Sequence, residues 1–254
     1  MATWIAHLRI AEKLLAAIPG LRAPEFAAGS LAPDSGIPNE DHSAFDPPRE
    51  ISHFAEPDEE NLTVHDLRFY RRYLQGARSE GDPERFSFLW GYFAHLVTDQ
   101  LWFERIAVTA KAQFADLIAE KGHEAWWLMK DDWYGLDLRY VRDHPESLFW
   151  QVFTPLPPIL DVLPFLPRQA MRSQFEHIGD FYTRWDEQGP LDRPYPYLNE
   201  RTMTRFMEDT TAAIVTIHGR LTEPVVANLG ETALDLLVPS ARAPYPPPLG
   251  DALP

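Results

Sequence analysis

The sequence predicts an all-α fold: a multi-helix bundle with a long ordered loop placed early and a proline-rich C-terminal tail. Three observations carry that prediction. Apolar residues recur at helical spacing in segment after segment, and no stretch shows strong strand alternation. One run near the middle is apolar on most sides, as befits a helix in the centre of a bundle. With 254 residues, 45% of them hydrophobic and 13% aromatic, the chain can fill one substantial core. Residues 1–238 are expected to form a single helical domain, with 239–254 as an extended tail.

The first helix is expected over 3–18, where Trp4, Leu8, Ala11, Leu15 and Ile18 recur at helical spacing and Pro19-Gly20 stops it. A short helix over 24–30 runs into the turn-rich Leu31-Ala32-Pro33-Asp34-Ser35-Gly36. Residues 37–60 hold several Pro, Asp and Glu without periodicity, so they read as an ordered loop, and a loop of that length points to function. A helix is expected over 61–77, opened by Asn61-Leu62-Thr63. Asp82 can cap the next helix and Pro83 suits its first turn. That helix, 85–108, is the central one, with Phe86, Phe88, Trp90, Phe93, Leu96 and Trp102 spread around it. Further helices are expected over 111–121, 124–142, 145–153, 168–186 and 200–221, with a proline-rich connector crossing the bundle over 154–167. The tail, with Ala243-Pro244-Tyr245-Pro246-Pro247-Pro248, reads as extended.

Composition excludes several functions. A net charge of -15 argues against a nucleic-acid backbone as partner, since phosphate chains are bound by Lys and Arg. A small phosphorylated substrate stays open, because a metal site reverses the field locally. There is no cysteine, so disulfides, thiolate nucleophiles and Cys-type zinc sites are excluded; any metal must use His, Asp, Glu or backbone groups. His7, Arg9, Glu12 and Lys13 interrupt the apolar start, so no signal peptide is expected. No segment reaches the ~20 apolar residues that cross a bilayer, and a cytoplasmic location is the default expectation. No glycine-rich phosphate loop or Gly-x-Ser-x-Gly elbow occurs.

The chemistry gathers around His95 and Asp99. Four residues apart on the central helix, they leave the same face one turn apart. Their neighbours are aromatic, and a buried charge needs a partner or a metal. The pair either closes a hydrogen bond in the core or grips an ion. His7 on the first helix, Asp34 in its turn and His53 in the loop are further candidates, each with an ordinary alternative as a core histidine, a turn aspartate and a surface histidine.

Four stretches in order resemble the zinc-dependent phospholipase C family, whose wider superfamily includes single-strand-specific zinc nucleases. They are Ala6-His7-Leu8-Arg9-Ile10-Ala11-Glu12, the turn from Gly29 to Asp34, Ser52-His53-Phe54, and the run from Gly91 to Asp99. The resemblance covers roughly the first half of the chain. It implies a helical bundle around zinc, with Asp34, His53, His95 and Asp99 on one ion and His7 joining Asp99 on a second. It also implies Asp34 as general base for water attacking phosphorus. Members with three metals add the amine and carbonyl of the mature N-terminus, a further His after the aspartate, and a later His-x-x-x-Glu pair. Here the chain reads Met1-Ala2-Thr3-Trp4, where no leader is expected, Phe103-Glu104-Arg105 follow the helix motif, and no His has Glu four residues on. One or two zinc ions, or another divalent metal, are therefore expected, with Asp132 as a possible substitute ligand and a solvated helix face as its alternative.

Other histidines carry less. His65-Asp66 is similar to the adjacent pair of HD phosphohydrolases, but two residues make a weak motif. His123 and His144 lie at helix ends, and His177 and His218 read as packing or surface residues. Trp126, Trp127, Trp133 and Tyr134 are core candidates that can also line an apolar pocket. The expected function is metal-dependent hydrolysis of a small-molecule or lipid phosphoester. The alternative is a non-catalytic, metal-stabilised helical protein binding a lipid or protein partner.

Overall fold

The structure is a computed structural model that describes residues 1–40, 44–57, 62–77, 79–223 and 230–252. Its fold is all-α. In chain order the helices are α1 (Trp4–Ala17), α2 (Ala23–Leu31), α3 (Arg49–Ser52), α4 (Asp66–Phe69), α5 (Pro83–Trp102), α6 (Val108–Gln113), α7 (Ala115–Lys121), α8 (His123–Asp143), α9 (Arg168–Thr183) and α10 (Glu200–Thr222). Strands among the described residues reduce to two short antiparallel pairs, β1 (Ile37–Pro38) with β2 (Phe45–Asp46) and β3 (Ala55–Pro57) with β4 (Leu62–Val64).

The central helix is α5. Every residue from 87 to 99 is buried, as an apolar surface on all sides requires. It starts where expected: the Asp82 carboxylate accepts from Arg85 N–H at 3.0 Å, and Pro83 opens the first turn. It runs to Trp102, then widens into a five-residue turn, Phe103–Ala107, before α6. Trp102 meets Trp133 of α8 and Phe206 of α10 edge-on, at 5.1 and 5.0 Å between ring centroids.

Helices α2 and α5 touch backbone to backbone through two glycines. A Cβ on Gly29 would run into the carbonyl oxygen of Phe88, and one on Gly91 into that of Phe26. Only residues without side chains permit that approach, and it brings the end of α2 against His95.

Three expected elements differ. The helix expected over 61–77 begins only at Asp66, because Leu62–Val64 pairs with Ala55–Pro57, placing Val64 opposite Ala55. Both are buried, so the short hairpin packs an apolar face on the core; Asn61 lies outside the described residues. The 37–60 segment is accordingly structured by two strand pairs and α3 rather than irregular throughout, and residues 41–43 and 58–60 of it lie outside the description. The helix expected over 145–153 reduces to a wide turn, Phe149–Phe153, after a bend at 145–147. The tail is fastened down over its described length. Tyr245 is buried, its N–H donates to Arg105 O at 2.9 Å, and its hydroxyl donates to Asp209 at 2.7 Å. Leu249 is fully buried, and Asp251 N–H donates to Tyr195 O.

Candidate metal centre

Five polar side chains meet where α1, α2, α3 and α5 converge. His7, His53, His95 and Asp99 are buried and Asp34 nearly so. His95 is oriented first. Its Nδ1 lies 2.8 Å from the Ser30 carbonyl oxygen. A carbonyl only accepts, so Nδ1 carries the proton and Nε2 presents its lone pair to the cluster. The glycine contact between α2 and α5 makes this bond possible by delivering the Ser30 carbonyl. His53 is set by α3: its backbone N–H donates to Arg49 O, and its Nδ1 lies 3.0 Å from Ser52 Oγ. Tyr92 of α5 donates its hydroxyl to the Ser52 carbonyl, tying α3 to the central helix. Asp34 accepts from Trp4 Nε1–H through Oδ2 at 3.0 Å, which turns Oδ1 toward the histidines.

The donor atoms then stand at coordination spacing. His53 Nε2 is 3.3 Å from His95 Nε2, 3.3 Å from Asp34 Oδ1 and 3.7 Å from Asp99 Oδ2. His95 Nε2 is 3.9 Å from Asp34 Oδ1 and 3.7 Å from Asp99 Oδ2. Ligands held tetrahedrally at about 2.0–2.2 Å stand roughly 3.3–3.6 Å apart; two of the five separations fall in that range and the other three, at 3.7, 3.7 and 3.9 Å, lie just beyond it. Buried lone pairs and carboxylate oxygens facing one another are unfavourable without a cation, and Asp99 Oδ2 has no hydrogen-bond partner. These buried groups can hold a metal ion.

The electrostatics agree. Burial, reinforced by His7, lowers the His95 pKa to about 3, so the ring is neutral and free to ligate. Burial alone would raise both carboxyls. For Asp34, His95 and the hydrogen bond from His53 outweigh it and hold the carboxyl low; for Asp99, the amino-terminal charge and His7 do so.

His7 sits differently. Its ring stacks on His95 at 3.9 Å with the planes 8° apart, and Nε2 lies 3.4 Å from Asp99 Oδ1 without a hydrogen-bond partner. It forms a second close triad with His95 and Asp99. His95 has only one lone pair to give, however, so a second ion would find His7 and Asp99 Oδ1 alone among the described side chains. The first residues also reach the cluster. Ala2 N–H donates to Asp99 Oδ1 at 2.9 Å.

Asp132 is not brought to this cluster. It is buried on α8, where Arg193 Nη1 and Tyr197 N–H each donate to its carboxylate at 2.6 Å. Both oxygens are used in anchoring the 193–197 segment. The His65-Asp66 pair is also elsewhere: Asp66 accepts from Ala233 N–H and the Gln100 amide, fixing the chain near 233 to α5. His144 hydrogen-bonds Tyr140 O at its helix end, and His218 packs on Trp90.

The cluster forms part of the floor of a 630 Å³ cavity lined by Asp34, His53, Arg49, Trp4, Trp127 and Tyr134 among others. Of the four α8 aromatics expected as core or pocket residues, Trp127 and Tyr134 line it, whereas Trp133 is buried against Trp102 and Trp126 packs on the core. His177, expected to be a packing or surface residue, lines the cavity and meets Trp4 edge-on at 5.8 Å. Arg49, Trp4 and Ser30 were not legible as site residues, though Arg49 stands four residues before His53 and Trp4 three before His7, spacings that share a helix face. Comparison with protein families, with curated proteins and with solved structures finds no match, so the assignment of this centre rests on its own geometry.

Proposed function

We propose that the protein is a metal-dependent phosphoester hydrolase that uses one zinc-like dication held by Asp34, His53, His95 and Asp99. The observation that carries the reading is the set of five donor separations of 3.3–3.9 Å at the base of a cavity. When bound, a dication supplies Lewis acidity toward a phosphoryl oxygen and lowers the pKa of water toward about 7. Asp34, ionised and oriented by Trp4, accepts a proton from the water that attacks phosphorus. The water oxygen bonds to phosphorus, the ester P–O bond breaks, and the leaving alkoxide takes up a proton. Trp127 and Tyr134 wall the cavity and limit competing water.

One observation favours a second reading. Four protein donors are also the number that closes a structural zinc site, which suits a metal-stabilised protein binding a lipid or protein partner. The two are separated by elemental analysis followed by assay of 4-nitrophenyl phosphate and bis(4-nitrophenyl) phosphate. Stoichiometric metal with chelator-sensitive, zinc-restored turnover is the expected result. Stoichiometric metal without turnover of either ester overturns the hydrolase and leaves the binding protein. Absence of metal with no uptake of added zinc overturns both.

A further inference from the structure

One cation lines the cavity and a second stands on the ring of a wall residue, and the metal reading leaves both without compensation. Arg49 of α3 lines the cavity, with Nη2 3.7 Å from Asp99 Oδ2, its one carboxylate contact among the described residues. Arg49 Nε is buried without a hydrogen-bond partner, an orphan that costs free energy until an acceptor reaches it. Lys130 lies on α8 between the two wall aromatics, at the i, i+3, i+7 spacing that puts Trp127, Lys130 and Tyr134 on one face. Its Nζ sits 4.7 Å over the Trp127 ring, and no carboxylate lies within ion-pair distance among the described residues. Burial, and secondarily the Arg49 charge, lower the Lys130 pKa.

With a dication on Asp34 and Asp99, the two carboxylates balance the ion and can no longer neutralise Arg49. In a chain of net charge -15, a cation on the cavity wall and another on the Trp127 ring, both without acids, call for an anion. Trp127, more than half exposed, and Tyr134 offer flat apolar surface beside them. Two positive charges complement a dianion better than a monoanion, and a terminal phosphoryl group offers acceptors to both.

We infer that the cavity selects phosphomonoesters of aromatic or apolar alcohols, with Arg49 and Lys130 gripping the terminal phosphoryl oxygens while Trp127 and Tyr134 hold the alcohol. This rests on reading the cavity as the substrate site. It differs from that reading in predicting a preference for the monoester dianion over a diester.

The test is calorimetric binding of phenyl phosphate, methyl phenyl phosphate and phenol to the purified full-length chain, with metal content measured on every sample. The parent should bind phenyl phosphate at least about tenfold more tightly than methyl phenyl phosphate. Arg49→Gln and Lys130→Gln should each weaken phenyl phosphate by about tenfold and leave phenol unchanged, and Lys130→Arg should retain the parent affinity. Should Arg49→Gln lose metal, Lys130→Gln decides, because that side chain stands away from the donor cluster. Equal binding of the monoester by parent and Lys130→Gln, or equal binding of mono- and diester by the parent, overturns the inference. Selective binding without turnover overturns the hydrolase and spares this selectivity; turnover without monoester preference does the reverse.

Discussion

His95 and His7 show how much rests on which atom of a residue is free. Both are buried histidines on apolar helices, and their rings stack. His95 has its proton fixed on Nδ1 by the Ser30 carbonyl, so Nε2 points as a lone pair at His53, Asp34 and Asp99. His7 approaches only Asp99, from the side of Oδ1 that already accepts from Ala2. The two should therefore respond differently to mutation. His53→Ala removes one of four donors and is expected to lower zinc affinity by more than the roughly 10–100-fold that loss of an outer hydrogen-bond partner costs. His7→Ala is expected to leave the ion in place. A competition titration against a chelating dye reads both; a His7→Ala variant that loses its zinc would sink the four-donor assignment.

Elements set the donors by touching in only one way. α2 carries the Ser30 carbonyl and leads into Asp34, and α5 carries His95 and Asp99. Their spacing depends on Gly29 and Gly91, which lie inside the two stretches that resemble metal-binding motifs yet bear no ligand. Their role is geometric: they let the two backbones approach until a carbonyl can hold a histidine. In Gly91→Ala the new methyl would meet the Phe26 carbonyl and stand 2.9 Å from Ser30 N. Overpacking of this kind costs roughly 1–3 kcal/mol. Because the helix must move and take the Ser30 carbonyl with it, zinc affinity should fall by about 10–100-fold as well. Gly179→Ala on α9, where a Cβ meets nothing within 4 Å, is the control and should be neutral or stabilising by up to ~1 kcal/mol. Thermal melts and zinc titration on both variants check this; parent-like zinc binding in Gly91→Ala would show that the close approach does not govern the site.

Across the whole molecule the donor cluster occupies one small part of a large aromatic core. Trp102 packs on Phe206 and Phe153 on Phe175, all four fully buried in ring contacts that include none of the donors. Removing metal should therefore lower stability without dissolving the fold. An ion present at a thousandfold excess over its Kd contributes about 4 kcal/mol, or roughly 8–16 °C in Tm at about 2–4 °C per kcal/mol for a chain of this size. The expected outcome of chelation is a Tm drop of that order with helical circular dichroism retained at 20 °C. Loss of helical signal at that temperature would mean that the ion nucleates the bundle.

Local order was legible in the residues themselves. Apolar spacing of 3–4 residues placed α1, α8 and α10 within a residue or two of their ends, since each helix buries a face whose period the chain displays directly; α5, expected to run to 108, stops at Trp102 where the helix widens. The Asp82-Pro83 start of α5 was legible too, because capping is decided within one turn. Strands of two or three residues were not, being too short to show alternation; β4 forms because β3 is there to pair with it. The residue types of the donor set, and their order along the chain, were likewise present in the sequence. Their convergence was decided only in three dimensions, by a backbone contact at two glycines that no side-chain pattern records. The same holds for Asp132, a plausible acid by position that Arg193, 61 residues away, claims instead. Periodicity is a property of neighbours along the chain, whereas coordination and charge pairing depend on which distant groups the packing leaves within reach.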